Sequence, residues 1–395
     1  MSLVYQNIII SIKRTISVLI YFPIAAIFKM LSIKTPHFYV DRIGHLLADP
    51  DSFLKEYYLL NGSFPRCFLI APKSLDGLPI NQTMLDYWKK YFIVIQNPFL
   101  ARIFLPLCFH PLLKSEEKYA ATQHDTSSIY EINNKWGDRD PLLKITAQDF
   151  KAGQNLLMEM GLKENDWFVC VHARESGFDK DKGGHVADHR NIDIETFIPS
   201  IQYIIDQGGK CIRMGDSSMS PCPKIDGLID YANSPFKSDL MDVFLCSESL
   251  FFLGSNSGII EVSTGFGTPV AITNMSPLSS LPRGRKDLSI PMMHSKSGQN
   301  DLLSFSEIMN SDIAHYREAN NFKKAGIKLI PNSKEEILEL ATEQFQKVTN
   351  SFIQDKDNRL LQKKYKNLFK PGHYGFGYAS QIGEKFLKRY SDLLP

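Results

Sequence analysis

Residues 167–175 read Trp167-Phe168-Val169-Cys170-Val171-His172-Ala173-Arg174-Glu175. The five residues from Trp167 to Val171 have the length and composition of a buried strand, and a polar turn follows them. The same figure returns three times downstream. Lys210–Met214 runs into Gly215-Asp216, Leu250–Leu253 runs into Gly254-Ser255-Asn256-Ser257-Gly258, and Val270–Thr273 stops at Asn274. Helix-like periods separate these runs: Phe197 to Ile205, closed by Gly208-Gly209, then Met241 to Ser247, then a helix start over Gly258 to Thr264. Apolar strands alternating with helices predict a parallel sheet with right-handed crossovers, so the fold class is α/β.

Upstream the pattern is fainter but of the same kind. Lys151–Met160 reads as a helix ended by Gly161. His37–Asp41, Cys67–Ala71 and Tyr91–Ile95 read as strands, with a helix over Met84–Lys90. Residues 111–145 are polar with several turn formers and read as a connection between lobes. Downstream, Lys334–Val348 is an amphipathic helix that closes the second lobe. A Gly/aromatic loop, Lys370–Tyr378, precedes a last helix over Gln381–Leu394, and packing is the favoured role for His373 and the loop tyrosines. The expected organisation is therefore an N-terminal helix over 1–34, a Rossmann-like lobe over 35–145, a second over 146–350, and a helical segment over 351–395 packing back toward the first lobe.

Composition narrows the function classes. A chain of 395 residues suits two domains, and 43% hydrophobic with 22% charged residues is ordinary globular content. A net charge of +2 excludes a broad cationic face for nucleic acid. None of the six cysteines forms a C-x-x-C pair, which fits buried, reduced thiols and no zinc site. Asp179-Lys180-Asp181 is literally a D-x-D, but Lys180 and Lys182 compete for its charge, and a solvated loop with no metal is expected. His185 and His189 stand four apart beside Gly183-Gly184, without a metalloprotease pattern. No phosphate-binding P-loop and no G-x-G-x-x-G are present. Near the start, Lys13 and Arg14 precede an apolar run from Ile16 to Phe28 that contains Pro23 and ends at Lys29. It is shorter than the roughly 20 residues of a bilayer span. Residues 4–33 read instead as an amphipathic, apolar helix lying in the membrane interface.

Open α/β sheets bind ligands beyond the carboxyl ends of their strands. Those ends hold His172, Arg174 and Glu175, then Arg213, Gly215 and Asp216, then Ser255, Asn256, Ser257 and Gly258, then Asn274. Arg174 and Arg213 offer bidentate forks for phosphate oxygens. Backbone N–H groups of the Ser255–Gly258 turn and the following helix start suit an anion. Glu261, one turn into that helix, is placed to hold ribose hydroxyls. The set suits a nucleoside diphosphate.

Taken in order, several short motifs resemble a group of bacterial glycosyltransferases from surface-polysaccharide clusters. They are Arg42-Ile43-Gly44-His45-Leu46, His172-Ala173-Arg174-Glu175-Ser176-Gly177, Arg190-Asn191, Gly208-Gly209, Arg213-Met214-Gly215-Asp216, Ile229-Asp230-Tyr231-Ala232, Lys237-Ser238, Met241-Asp242, Gly254–Gly258 and Phe266-Gly267-Thr268-Pro269. They span most of residues 38–278. A more distant likeness is to the fucosyltransferase superfamily, in which an H-x-R strand end contacts the donor diphosphate. Arg174 matches that position, whereas Glu175-Ser176-Gly177 departs from the usual continuation, which weighs against GDP-fucose as donor and leaves the donor base open. The resemblance implies a GT-B fold of two Rossmann-like lobes, with acceptor at the first and donor at the second. It also implies a nucleotide-sugar donor without a required cofactor or metal, a glycan or lipid-linked acceptor, donor contacts reaching Ser238, and a peripheral place on the cytoplasmic face of the bacterial inner membrane. Transfer needs a base for the acceptor hydroxyl. His45 is the first candidate, with Glu175, His172 and Asp216 as competitors. Two alternatives stay open: a sugar-nucleotide epimerase or hydrolase on the same fold, and a non-catalytic nucleotide-sugar-binding assembly protein.

Overall fold

The computed structural model describes residues 3–73, 80–114, 117–121, 127–177, 186–299 and 301–395. The chain divides into two compact units, Met1–Asp125 and Thr126–Pro395.

The first unit is built on three short parallel strands, β1 Ile33–Lys34, β2 Arg66–Ile70 and β3 Ile93–Ile95, in that order. The strand expected over His37–Asp41 does not form, and the pairing falls on Ile33 and Lys34 instead. Pro36, which has no N–H to give a ladder, separates the two segments. A helix over Leu3–Met30 carries Pro23 inside it. Phe28 near its end stacks on Phe68 and Phe104 at 5.5 and 6.2 Å between ring centres. Leu19, Ile20 and Met30 on this helix are 70%, 66% and 77% exposed, so it leaves an apolar stripe uncovered within this unit. Among the described residues no helix is long and apolar enough to cross a membrane.

The helix Ile43–Asn61 is the core of this unit and is buried without a break from Leu46 to Glu56. That run includes four charged residues, which are paired: Lys55 donates to Asp51 at 2.7 Å, and the Glu56 carboxylate accepts the backbone N–H groups of Lys118 and Tyr119, each at 2.8 Å. Glu56 thereby caps the short helix Lys118–Ala121 and fixes Tyr119 against Asp49. Residues 111–121 are thus part of the first unit, whereas residues 127–145 belong to the second: the Tyr130 hydroxyl donates to the Leu281 carbonyl at 2.7 Å.

The second unit carries β4 Phe168–His172, β5 Lys210–Arg213, β6 Leu228–Ile229, β7 Phe252–Ser255, β8 Val270–Met275 and β9 Leu288–Pro291. An antiparallel ribbon follows, β10 Met293–Lys296 with β11 Ile327–Ile330, and the chain ends with β12 Gln381–Ile382. Seven strands make one parallel sheet in the order β12-β9-β8-β7-β4-β5-β6. From β4 the chain winds outward to β6, returns to β7 beside β4, and winds the other way to β9. This is the doubly wound Rossmann order, with its switch point between β4 and β7. Val169, Cys170, Val171, Phe252 and Leu253 are fully buried, as strands covered on both faces must be.

The four strands expected from sequence all form within a residue or two. The C-terminal reading needs correction. Gln381–Ile382 is not the start of a helix but an edge strand beside β9, and the helix runs only over Glu384–Arg389. Two residues of strand carry no readable period. Helix Lys334–Val348 begins with a full capping box, Ser333 and Glu336. In the Gly/aromatic loop His373 and Tyr378 are buried, so these residues pack.

Candidate functional site

The switch point brings the ends of β4 and β7 side by side. His172 closes β4, and its Nδ1 lies 3.0 Å from the Met214 carbonyl. A carbonyl only accepts, so Nδ1 carries the proton and Nε2 is left as a bare acceptor. Nε2 is buried and meets no hydrogen-bond partner. Burial pulls the ring down to about 4, against the pull of the Met214 bond and with help from Arg213 and Arg174. The imidazole is therefore neutral at physiological pH, with a buried acceptor at the end of β4.

Two residues on, the Arg174 backbone N–H donates to Ser255 Oγ at 2.9 Å and ties the loop after β4 to the end of β7. Its Nη1 donates to the Ala187 carbonyl at 3.3 Å and to Asn191 Oδ1. These contacts fix a mostly buried guanidinium beside the switch point. On the β7 side Asn256 donates to the Ser276 carbonyl at 2.7 Å, Ser257 is half-buried and Gly258 is exposed. The helix after them, Ile260–Phe266, has only seven residues, so its dipole adds little to anion binding there.

Other candidates are engaged by contacts within their own chain. Arg213 is fully buried at the end of β5, with Nη2 2.6 Å from Glu175 Oε1 and Nη1 3.1 Å from Asp230 Oδ1. Its fork holds two carboxylates of its own chain. Glu175 is engaged at both oxygens, because Oε2 accepts the Ser220 N–H at 2.9 Å. Burial alone would raise the Asp230 carboxyl, but Asn233, the Cys222 N–H and Arg213 together hold it below the usual range. Gly215 sits at φ 152, and Asp216 caps the next turn by accepting the Ser218 N–H at 2.8 Å. Ser238 is exposed and caps the helix Asp239–Glu248. The residues around it form a closed knot, in which the Tyr231 hydroxyl donates to Asp242 at 2.9 Å and Lys237 pairs with the same carboxylate. Glu261 is taken by Arg283, whose Nε lies 2.7 Å from Oε2. Asn274 is buried with a φ of 53, a conformation asparagine tolerates better than most residues. It exchanges hydrogen bonds of 2.6 and 2.8 Å with Asn332 and clasps β8 to the start of the Lys334–Val348 helix.

In the first unit His45 lies in the first turn of helix Ile43–Asn61, half exposed. Its Nδ1 lies 3.2 Å from Asp49 Oδ2, one helical turn on. Asp49 is buried and also accepts the Tyr119 hydroxyl at 2.6 Å. A carboxylate on Nδ1 sets the tautomer that leaves Nε2 basic, the arrangement by which enzymes orient a histidine base. The Tyr39 ring meets the imidazole edge-on at 5.4 Å. Asp49 was legible in principle, since an i, i+4 His–Asp pair on a helix faces one way. Tyr119 was not, because it lies 70 residues further along.

Asp179-Lys180-Asp181 and His185 lie outside the described residues, among which no group of three His, Cys, Asp or Glu side chains is arranged to hold a metal.

No family model matches the sequence, and no curated protein matches it significantly. Some solved structures are similar. A glycosyl transferase of family 9 from Veillonella parvula DSM 2008 is 10% identical over 61% of this chain and 80% of that one, with a TM-score of 0.39. The E. coli ADP-heptose lipopolysaccharide heptosyltransferase II is 12% identical over 66% of this chain and 90% of its own, with a TM-score of 0.39. The iron-containing dodecameric glycosyltransferase TibC from enterotoxigenic E. coli H10407 is 12% identical over 64% and 59%, at 0.33. Likeness this remote assigns neither a reaction nor a residue.

Proposed function

We propose that this chain is a glycosyltransferase of the two-lobed GT-B kind. It moves a sugar from a nucleotide-sugar donor to a glycan or lipid-linked acceptor in bacterial surface polysaccharide synthesis, at the inner membrane. The observation that carries the reading is the constellation at the β4/β7 switch point: the bare Nε2 of buried His172, the fixed Arg174, and the Ser255–Gly258 turn. In this reading Arg174 faces the donor diphosphate, as in the H-x-R strand end it resembles. It stabilises the negative charge that builds on the leaving group. His172 Nε2 accepts a donor hydroxyl. On the first unit His45, oriented by Asp49, takes the proton of the acceptor hydroxyl. The exposed apolar stripe of helix Leu3–Met30 is the surface that would rest on the bilayer.

A thermal-shift screen against UDP-, GDP-, ADP-, CMP- and dTDP-sugars tests the donor half, because a ligand that binds the folded state raises its melting temperature. Product analysis of the hit then separates transfer from epimerisation or hydrolysis. A nucleotide sugar that binds but is altered without an acceptor points to the epimerase or hydrolase. One that binds and is never turned over points to a binding protein.

A further inference from the structure

The helix Leu3–Met30 has a second apolar surface beside it in the first unit. The helix Pro98–Phe104 runs into the tight turn Leu105–Phe109, and this segment packs on the long helix. Phe28 lies against Phe104, and His110 Nε2 lies 3.1 Å from the Val18 carbonyl. Both partners keep apolar side chains in solvent. Beside the stripe of Leu19, Ile20 and Met30, Phe99 is 70% exposed and Phe109 is 59% exposed. Single exposed apolar residues need no account, but a group of them on elements that touch marks a surface that meets an apolar partner.

The charge on these segments has one sign. Residues 1–40 and 87–114 together contain eight Lys or Arg and no Asp or Glu, although Asp and Glu number 43 in the chain. Lys34 and Lys89 pair with Glu117 and Asp86, which lie outside both stretches, at 3.2 and 2.6 Å. Lys29, Arg102 and Lys114 are exposed. Exposed phenylalanines with cations beside them suit an anionic bilayer: the rings enter the acyl boundary while the cations meet the headgroups. A second copy of the chain fits less well, because a two-fold contact would bring the same cations face to face.

The same surface reaches His45. Phe109 lies 5.0 Å from His37 between ring centres, His37 lies 5.5 Å from Tyr39, and Tyr39 meets His45 edge-on. Tyr39 is itself 37% exposed. We infer that the first unit docks on an anionic bilayer through a two-part face, the stripe of helix Leu3–Met30 together with residues 98–109, and that docking holds His45 at the lipid surface. An acceptor hydroxyl carried on a lipid then reaches His45 without leaving the membrane, which favours the lipid-linked acceptor over a free glycan. This inference rests on the membrane reading above, which the helix alone would satisfy, and adds a second element, a lipid charge and the position of the base.

The test uses the full chain with vesicles of phosphatidylcholine, alone or mixed with phosphatidylglycerol. Co-sedimentation should show binding to the mixed vesicles at least tenfold tighter than to phosphatidylcholine, a preference that fades as salt rises. Phe99→Ser combined with Phe109→Ser should weaken binding at least tenfold with an unchanged circular dichroism spectrum, since both rings are largely exposed. Arg102→Gln and Lys114→Gln should each cost about fivefold, on the mixed vesicles only. Tyr39→Trp should be quenched by phosphatidylglycerol brominated on its acyl chains, beyond any change in the parent protein's three tryptophans. Binding unaffected by the two serines leaves the helix as the membrane contact and overturns the two-part face. Equal binding to both kinds of vesicle overturns the anionic partner. Vesicle binding without quenching at Tyr39→Trp overturns the position of His45. Binding to no vesicle overturns this inference and the membrane reading together, and a dimer in light scattering would then name a second copy as the occupant. The transferase reading stands or falls separately, on the nucleotide-sugar screen.

Discussion

Replacing Arg213 by Met separates a structural arginine from a phosphate-binding one. Its side chain is fully buried, and it holds Glu175 at 2.6 Å and Asp230 at 3.1 Å. Removing it leaves two carboxylates facing a vacated apolar space. Breaking a buried ion pair from one side typically destabilises by about 3–5 kcal/mol. Here the carboxylates are 23% and 21% exposed, so water recovers part of that loss and about 2–3 kcal/mol is expected. The loss should be local, because Glu175 and Asp230 also hold the Ser220 and Cys222 N–H groups in the loop after β5. Hydrogen exchange read by mass spectrometry suits a chain of two units, where a single unfolding midpoint is poorly defined. Peptides covering β5 and residues 215–230 should open about 30- to 150-fold more often, the ratio that corresponds to 2–3 kcal/mol. Adding Glu175→Gln and Asp230→Asn to Arg213→Met should recover at least half of the loss, since the stranded charges are then gone. If Arg213→Met leaves exchange unchanged yet abolishes nucleotide binding, Arg213 is a ligand fork and the assignment made here is wrong.

Other outcomes follow from the same geometry. Asp49→Asn should lower kcat of the transfer reaction about 10- to 100-fold with little change in KM, by releasing the His45 tautomer; Tyr119→Phe, which removes only a hydroxyl from Asp49, should lower it far less, and equal effects would count against the dyad. His172 and His294, held near 4 when folded, bind fewer protons folded than unfolded between about pH 6.5 and 4. Their stability contribution is therefore full above about pH 6.5 and is lost as pH falls to about 4, at up to about 1.4 kcal/mol per pH unit for each ring. Urea titrations of His294→Gln should show a shallower acid slope, and an unchanged slope would show that His294 is not buried neutral. Gly153→Ala should lower the melting temperature of the second unit by a few degrees. Its new methyl would meet the Phe244 ring at 2.3 Å, and overpacking of about 1–3 kcal/mol outweighs the gain of about 1 kcal/mol in helix propensity.

The parallel sheet of the second unit was legible because its central strands are apolar on both faces and each ends in a polar turn. Phe168–His172 and Phe252–Ser255 carry that signal in a few residues. The first unit was less legible, since β1 is two residues long and follows no period. The strand-end rule singled out His172, Arg174 and Ser255, which the fold brings together at the ends of β4 and β7. It could not foresee which partners within the chain each of these groups meets. Arg213 and Arg174 look alike in sequence, and what distinguishes them is that Arg213 meets two carboxylates, Glu175 and Asp230, 38 and 17 residues away in the chain. Glu261 meets Arg283 and Asn274 meets Asn332 in the same way, through partners 22 and 58 residues off.

The most direct measurement is calorimetric titration of nucleoside diphosphates into the full chain and into Arg174→Ala. One nucleotide should bind the parent protein and bind the variant at least tenfold more weakly, the loss of a charge-assisted contact to phosphate, while hydrogen exchange shows the sheet intact. Equal affinity in the two proteins, or no affinity for any nucleotide, would contradict the placement of the donor at the β4/β7 switch point.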